Sequence, residues 1–207
     1  MPKTDFLFDG PEKADTTIAI AHGAGAPMDT AFMETFAVGL GNHGFRVVRF
    51  EFPYMVERRE NGKKRPPNPA RVLLETWEAV IADLGPKNLV IGGKSMGGRI
   101  ASMVADQSHV KGLVCLGYPF HPPGKPDKLR IDHLQELTTP ALFLQGERDS
   151  LGNKQDVASY PLSPAIKVSW LEDGEHGFKP RKKSGRTEQQ NWDQAIDAFA
   201  SFVTALK

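Results

Sequence analysis

The residues best suited to chemistry lie in the pentapeptide Gly93-Lys94-Ser95-Met96-Gly97. It matches G-x-S-x-G, in which a sharp turn between a strand and a helix exposes a serine hydroxyl above the edge of a sheet. An apolar run precedes the pentapeptide, and a helix-compatible segment that opens with another glycine follows it. The pattern predicts Ser95 as the nucleophile of an acyl transfer. It also predicts the amide of Met96, at the start of the helix, as a donor to the developing oxyanion.

The same residues could instead belong to a phosphate-binding loop, because Gly93-Lys94-Ser95 is also the tail of G-x-x-x-x-G-K-[ST]. The first glycine of that motif would fall on Asn88, and the residues in between form an apolar, strand-like run. This mismatch argues against nucleotide binding.

A glycine-rich segment, residues 22–26, follows an apolar run near the start of the chain. It resembles the HGGG-type motif, whose backbone amides complete an oxyanion hole, and this predicts the amide of Ala24 as the second donor. A dinucleotide fingerprint is the alternative interpretation. Its third glycine position holds Met28, however, and Pro27 interrupts it.

A serine nucleophile needs a general base, and His176 is the histidine best placed to act as one, in a polar loop between the last apolar run and the last helical segment. The segment after the preceding apolar run supplies Asp149 to orient the imidazole, with Glu147 as the second choice. Asp173 and Glu175 rank lower, because carboxylates so close in sequence seldom reach the ring in the required direction. The other histidines have ordinary structural interpretations: His22, His43, His109, His121 and His133.

Short runs rich in Val and Ile alternate with amphipathic segments, the pattern of a mostly parallel sheet covered by helices on both faces. Six core strands are predicted, at residues 17–21, 46–50, 89–92, 112–116, 141–145 and 167–171. Apolar residues at helical spacing predict a helix over residues 69–84, with Asn68 as N-cap and Gly85 as its stop, and another over 192–206. Weaker helical patterns cover residues 29–40 and 96–105.

The whole chain, residues 1–207, is predicted to form one α/β domain without a large cap domain. Residues 1–15 are predicted to be a short N-terminal extension or an edge strand. Segments 57–67 and 119–129 are rich in proline and charge and are predicted to be loops. The basic runs within 63–65 and 181–183 are interpreted as solvated loop residues rather than polyanion sites.

Composition argues against several other classes of function. The 207 residues include 26 basic and 25 acidic ones, so no global attraction to nucleic acid or to an anionic membrane is expected. The single cysteine, Cys115, cannot form an internal disulfide and lies in an apolar run. No apolar stretch approaches the ~20 residues that cross a bilayer, and the start of the chain has no secretory pattern. A cytoplasmic protein with no nucleic-acid or membrane partner is predicted.

Four segments occur in a characteristic order along the chain: 22–25, 93–98, 146–149 and 174–178. With them the chain resembles the α/β-hydrolase superfamily and is similar to its small capless branch, the dienelactone-hydrolase-like and testis-expressed hydrolase-like proteins. The resemblance extends from about residue 17 to the end of the chain. It implies an α/β-hydrolase fold with nucleophile, acid and base in the order Ser95, Asp149, His176.

The predicted function is hydrolysis of an ester or thioester of a small acyl substrate through an acyl-enzyme, with no metal or organic cofactor. Lys94 is predicted either to bias the pocket towards anionic substrates or to form a salt bridge beside it. Four aromatic residues at strand ends or beside the histidine are candidate pocket walls, although core packing explains them almost as well: Tyr54, Tyr118, Phe120 and Phe178. The alternative function is a hydrolase-like scaffold that binds a ligand or a protein partner without turnover.

Overall fold

The computed structural model describes residues 5–206, which form one seven-stranded sheet flanked by helices. The strands are β1 (Leu7–Asp9), β2 (Thr17–Ala21), β3 (Arg46–Phe50), β4 (Leu89–Lys94), β5 (Gly112–Leu116), β6 (Ala141–Gly146) and β7 (Ile166–Leu171). Their spatial order is β1-β3-β2-β4-β5-β6-β7. Strand β1 is antiparallel to β3, and every other neighbouring pair is parallel. The six predicted core strands are confirmed, and β1 adds a short edge strand.

The helices cover both faces of this sheet, as predicted. They are α1 (Ala31–Asn42), α2 (Pro53–Asn61), α3 (Ala70–Leu84), α4 (Met96–Val104), α5 (Lys154–Val157) and α6 (Glu188–Ala205). On one face Trp77 of α3 and Ile100 of α4 pack in one apolar layer. On the other face Phe36 of α1 and Phe199 of α6 pack in a second layer. Both faces of the central strands are therefore buried, which explains their continuous apolar sequences.

The prediction that residues 57–67 form a loop is wrong for the first half of that segment, which belongs to α2. Its boundaries carry ordinary signals, since Pro53 occupies the first turn and Gly62 ends the helix in the left-handed conformation at φ 67°. Its charged residues have specific partners: Arg59 pairs with Glu51 and with Asp29, in both cases at 2.7 Å. Residues 62–67 and the second predicted loop, 119–129, have no regular structure.

The predicted N-cap of α3 is also wrong. The Asn68 side chain accepts a hydrogen bond from the backbone N–H of Tyr54 at 2.8 Å, and Pro69 precedes the helix without a side-chain cap. The side-chain oxygen of Asn68, which was predicted to cap α3, therefore accepts a hydrogen bond from α2 instead. The predicted stop is confirmed, because Gly85 ends α3 at φ 79° and donates to the carbonyl of Ile81.

Because β2 and β4 to β7 are parallel, their carboxyl ends meet along one edge of the sheet. Each of the four predicted motifs follows one of these ends, so the fold brings together segments that are far apart in the sequence. In the described part of the chain, the connection from β5 to β6 contains only one short 3₁₀ turn, Asp132–Leu134, and no cap domain. None of the helices within residues 5–206 is long and apolar enough to span a membrane.

Candidate active site

Ser95 occupies a strained turn between β4 and α4. Its backbone is at φ 51° and ψ −114°, a conformation that residues with a side chain rarely adopt. The turn lies tightly against the end of β2, because a Cβ atom on Gly97 would stand 2.5 Å from the carbonyl oxygen of Ala21. Only a glycine lets α4 start this close to the neighbouring strand. The turn leaves the hydroxyl of Ser95 at the carboxyl edge of the sheet.

Three predicted residues are joined by hydrogen bonds at this edge. The Oγ of Ser95 lies 2.8 Å from Nε2 of His176, and Nδ1 of His176 lies 2.7 Å from Oδ2 of Asp149. Because an ionised carboxylate only accepts hydrogen bonds, Nδ1 of His176 carries the proton. Its Nε2 is then free to accept from the serine hydroxyl. The side chain of Asp149 is fully buried, whereas that of His176 is 26% exposed.

The buried carboxylate of Asp149 is held by partners that the sequence analysis did not identify. The amide of Gln145 donates to Oδ2 at 2.8 Å, and the backbone N–H of Leu151 donates to Oδ1 at 2.8 Å. Gln145 is itself fixed, since its Oε1 accepts from the backbone N–H of Tyr118 at 2.7 Å. A polar residue near the end of the otherwise apolar strand β6 was the signal available in the sequence.

The carboxylates ranked below Asp149 have other partners. Glu147 accepts from Nζ of Lys154 at 2.7 Å and from the backbone N–H of Asp173 at 3.1 Å. Asp173 pairs with Arg181, whose hydrogen bonds hold the pKa of that carboxyl well below its ordinary value. Glu175 accepts from the backbone N–H of Gly177 within its own loop. Only Asp149 among these acids bonds the ring of His176.

Hydrogen bonds to its carbonyl groups hold in place residues 22–26, the segment predicted to form the oxyanion loop. Nδ1 of His22 lies 2.7 Å from the carbonyl oxygen of Gly23, and its Nε2 accepts from the backbone N–H of Phe52 at 3.1 Å. Burial lowers the pKa of this histidine, which agrees with a neutral ring that donates through Nδ1. The hydroxyl of Tyr54 donates to the carbonyl of Ala24 at 2.9 Å.

These contacts orient the backbone amides of the loop. In a trans peptide the C=O and the N–H point in opposite directions, so holding the carbonyl of Gly23 directs the N–H of Ala24 the other way. A Cβ atom on Gly23 would lie 3.8 Å from Cβ of Ser95, which places the loop beside Ser95. Met96 is the first residue of α4, where the N–H has no acceptor within its own helix.

Within residues 5–206, Lys94 does not form the salt bridge that was one of its two predicted roles. Its Nζ donates to the backbone carbonyl of His176 at 2.6 Å and lies over the rings of Phe32 and Phe178, 5.4 and 5.7 Å from their centroids. Its ammonium therefore contacts two aromatic rings and the loop that carries His176, residues 172–178, called the histidine loop below. Burial lowers its pKa to about 8.

The four aromatic residues considered as pocket walls are buried in the core: Tyr54, Tyr118, Phe120 and Phe178. Tyr118 stacks on Phe143 at 4.9 Å between ring centroids, and Phe120 packs on Tyr118 at 4.8 Å. The structure thus favours core packing, which was the other interpretation of these residues. Tyr54 makes a further contact, because its hydroxyl donates to the carbonyl of Ala24.

A second serine and histidine pair lies away from this site. Oγ of Ser102, in α4, lies 2.8 Å from Nε2 of His133 and donates to the carbonyl of Arg99. Ser102 is 3% exposed, and its hydroxyl proton is already engaged by that carbonyl. Across residues 5–206 no group of three or more His, Cys, Asp or Glu side chains is arranged to hold a metal ion.

Comparison with known proteins identifies the family of this chain. The model of a family described as alpha/beta hydrolase domain matches residues 14–204. An alpha-beta serine hydrolase homologue from Coxiella burnetii superposes with a TM-score of 0.71 at 19% identity, covering 99% of this chain and 92% of that one. A serine hydrolase without a lid from Xanthomonas campestris gives 0.69 at 19% identity, with 97% and 88% covered. A monoacylglycerol lipase from Paleococcus ferrophilus gives 0.70 at 13% identity, with 97% and 99% covered.

Proposed function

Because the chain belongs to the alpha/beta-hydrolase family, we propose that it hydrolyses an ester or thioester of a small acyl substrate through an acyl-enzyme on Ser95. The observation that carries the proposal is the continuous hydrogen-bond chain from Asp149 through His176 to Ser95. The geometry and the hydrogen bonds of these three residues agree with the catalytic role proposed for each of them.

In the first half of the proposed reaction, Oγ of Ser95 attacks the substrate carbonyl carbon while Nε2 of His176 takes the hydroxyl proton. Asp149 holds the ring in the tautomer that accepts this proton and stabilises the imidazolium that forms. The tetrahedral intermediate then expels the alcohol or thiol, which leaves with the proton from Nε2. The acyl group remains as an ester on Ser95.

In the second half, water takes the place of the departed alcohol or thiol. His176 removes a proton from the water as it attacks the acyl carbon, and the second tetrahedral intermediate collapses to release the acid. The proton returns from Nε2 to Oγ of Ser95, which restores the starting state. No metal ion or organic cofactor is needed for any of these steps.

The developing oxyanion is proposed to accept hydrogen bonds from the backbone amides of Ala24 and Met96. The first belongs to a loop whose carbonyls are fastened by His22 and Tyr54, and the second begins α4, where the helix dipole adds partial positive charge. Donors fixed before the reaction need no reorganisation when the charge forms, which makes them effective.

The connection between β5 and β6 leaves the site without a cap domain, which suits small or extended acyl substrates that approach from solvent. One of the similar structures is a monoacylglycerol lipase, which agrees with an ester substrate for this chain. The alternative, a scaffold that binds without turnover, predicts a folded protein that a fluorophosphonate probe does not label.

Labelling with a fluorophosphonate probe tests the proposal directly, because the probe reacts only with an activated serine. We expect the folded wild-type protein to be labelled, Ser95→Ala to be unlabelled, and His176→Ala to react far more slowly. Ser102→Ala is the matched control, since Ser102 also bonds a histidine but lies away from the site. Labelling that survives Ser95→Ala, or a folded wild type that is never labelled, would contradict the proposal.

The choice of acid can be tested in the same way. With p-nitrophenyl esters of increasing chain length and one thioester as substrates, Asp149→Asn should lower kcat by about 10⁴-fold, because the histidine loses the partner that fixes its tautomer. Glu147→Gln is the matched control and should change kcat little. The reverse result would assign the acid to Glu147.

A further inference from the structure

Lys94 lies next to the nucleophile in sequence, yet its ammonium group contacts the base. Ser95 and Lys94 are adjacent, and both bond the same histidine: Ser95 through the ring at Nε2, and Lys94 through the backbone carbonyl. In the described part of the chain no carboxylate lies within ion-pair distance of Nζ. The cation is instead surrounded by two aromatic rings, a carbonyl oxygen and the backbone of Gly117.

We propose that Lys94 is a positioning residue that holds the backbone of His176, so that the imidazole spans Asp149 and Ser95. This inference rests on the proposed function, because it concerns the alignment of that same base. The loop that carries His176 is held elsewhere from α6, where Trp192 donates to the carbonyl of Gly177 at 3.0 Å. Lys94 supplies the hydrogen bond that joins the backbone of this loop to the turn that carries Ser95.

The histidine loop needs such a tie because parts of its backbone are strained. Asp173 and Phe178, on either side of His176, have positive φ angles of 50° and 73°. Residues with a side chain rarely adopt that conformation because it is strained, so the loop depends on its contacts to keep this shape. If the carbonyl of His176 is released, the ring can drift while the rest of the fold remains intact.

A role in substrate binding fits the geometry less well. A lysine that recognises an anionic substrate must present its ammonium to solvent, but this one donates into the protein at 2.6 Å and lies over two apolar rings. The neighbouring titratable groups are the acids Asp149 and Glu175, which favour the cation, and His176 itself. The ammonium therefore keeps its proton at neutral pH despite its burial.

The test compares wild-type protein with Lys94→Met, which keeps the apolar stem and removes the donor, and with Lys87→Met as control. Lys87 is exposed near the start of β4, at the opposite edge of the sheet from Ser95. We expect Lys94→Met to lower kcat on a neutral p-nitrophenyl ester by up to about 10²-fold with KM little changed, because a small misplacement of the base acts on the chemical step. Lys87→Met should match wild type.

A second readout does not require turnover. The proton on Nδ1 of His176, shared with Asp149, should give a low-field resonance in the wild-type NMR spectrum, and Lys94→Met should broaden or shift it. If Lys94→Met broadens or shifts this resonance but the wild-type protein hydrolyses no ester, the positioning role stands and the proposed function fails. Lys94→Arg keeps a cationic donor and should retain more of kcat than Lys94→Met.

Three results would overturn the inference. One is a folded Lys94→Met protein with unchanged kcat and an unchanged low-field resonance. Another is a rise in the KM of Lys94→Met for anionic esters only, at constant kcat, which would indicate that Lys94 binds substrate. The third is a loss in Lys94→Arg as large as that in Lys94→Met while both remain folded.

Discussion

Replacing Lys94 with methionine should make the protein more stable at neutral pH while making it less active. Burial lowers the pKa of Lys94 from its ordinary 10.5 to about 8. That difference corresponds to about 3 kcal/mol by which the folded state disfavours the ammonium relative to the free amine. Methionine removes this penalty but leaves the carbonyl of His176 without its donor, a loss of about 1 kcal/mol. The expected net gain in the free energy of unfolding is about 2 kcal/mol at pH 7.

The gain should depend on pH with a definite sign. Below pH 8 Lys94 is protonated in both the folded and the unfolded protein, so the folded state bears the full penalty. Between pH 8 and 10.5 the unfolded chain holds this proton and the folded protein does not, so wild-type stability rises relative to Lys94→Met. Above pH 10.5 both states are neutral, and the advantage of methionine falls to zero or below.

Urea denaturation of both proteins at pH 7 and pH 10 measures this difference. The Lys87→Met control should stay within about 0.5 kcal/mol of wild type at both values, since Lys87 is exposed. A Lys94→Met protein that is less stable than wild type at pH 7 would refute the reasoning. A gain in the free energy of unfolding that is as large at pH 10 as at pH 7 would also refute it. A purely structural lysine would instead lose stability and activity together.

Three further substitutions probe the surroundings of the site. Tyr54→Phe removes the hydroxyl that donates to the carbonyl of Ala24 and should lower kcat about tenfold in steady-state ester assays, with little change in Tm. Gly97→Ala forces a Cβ atom against the carbonyl of Ala21 and should lower stability by about 1–3 kcal/mol in urea denaturation and abolish fluorophosphonate labelling. Asn191→Leu leaves two carbonyls of the histidine loop without their buried donor, and the loop amides should then exchange hydrogen faster.

The sheet and the residues joined at its edge were predictable because their signals are local. Each core strand is a short apolar run that is buried on both faces, and each motif residue follows the end of such a run. Parallel strands then bring Ser95, Asp149 and His176 to a common edge whatever the details of the loops. The order of these residues along the chain was the basis for the roles proposed for them.

Helix α2 was missed because its sequence is dominated by charge, and the partners of those charges are distant. Arg59 pairs with Glu51 and Asp29, and Arg58 donates to the carbonyl of Gly25. None of these contacts is visible in a local pattern. The same limit applies to Asn68, whose capping oxygen is taken by the N–H of a residue 14 positions earlier. In both cases a tertiary contact decides between local alternatives.

The contact between Lys94 and the backbone of His176 could not be predicted from the sequence, because it depends on the order of the strands in the sheet. Three strand intervals separate β4 from β7, about 14 Å at the usual spacing, so the histidine loop must return across the ends of β6 and β5 to reach Ser95. It can do so because a glycine stands at each crossing. A Cβ atom on Gly146 would meet the carbonyl of Glu175, and one on Gly117 would lie 2.8 Å from both the carbonyl of His176 and Nζ of Lys94. The sequence displays both glycines, but only the strand order reveals that the backbone around His176 passes over them and comes within reach of Lys94.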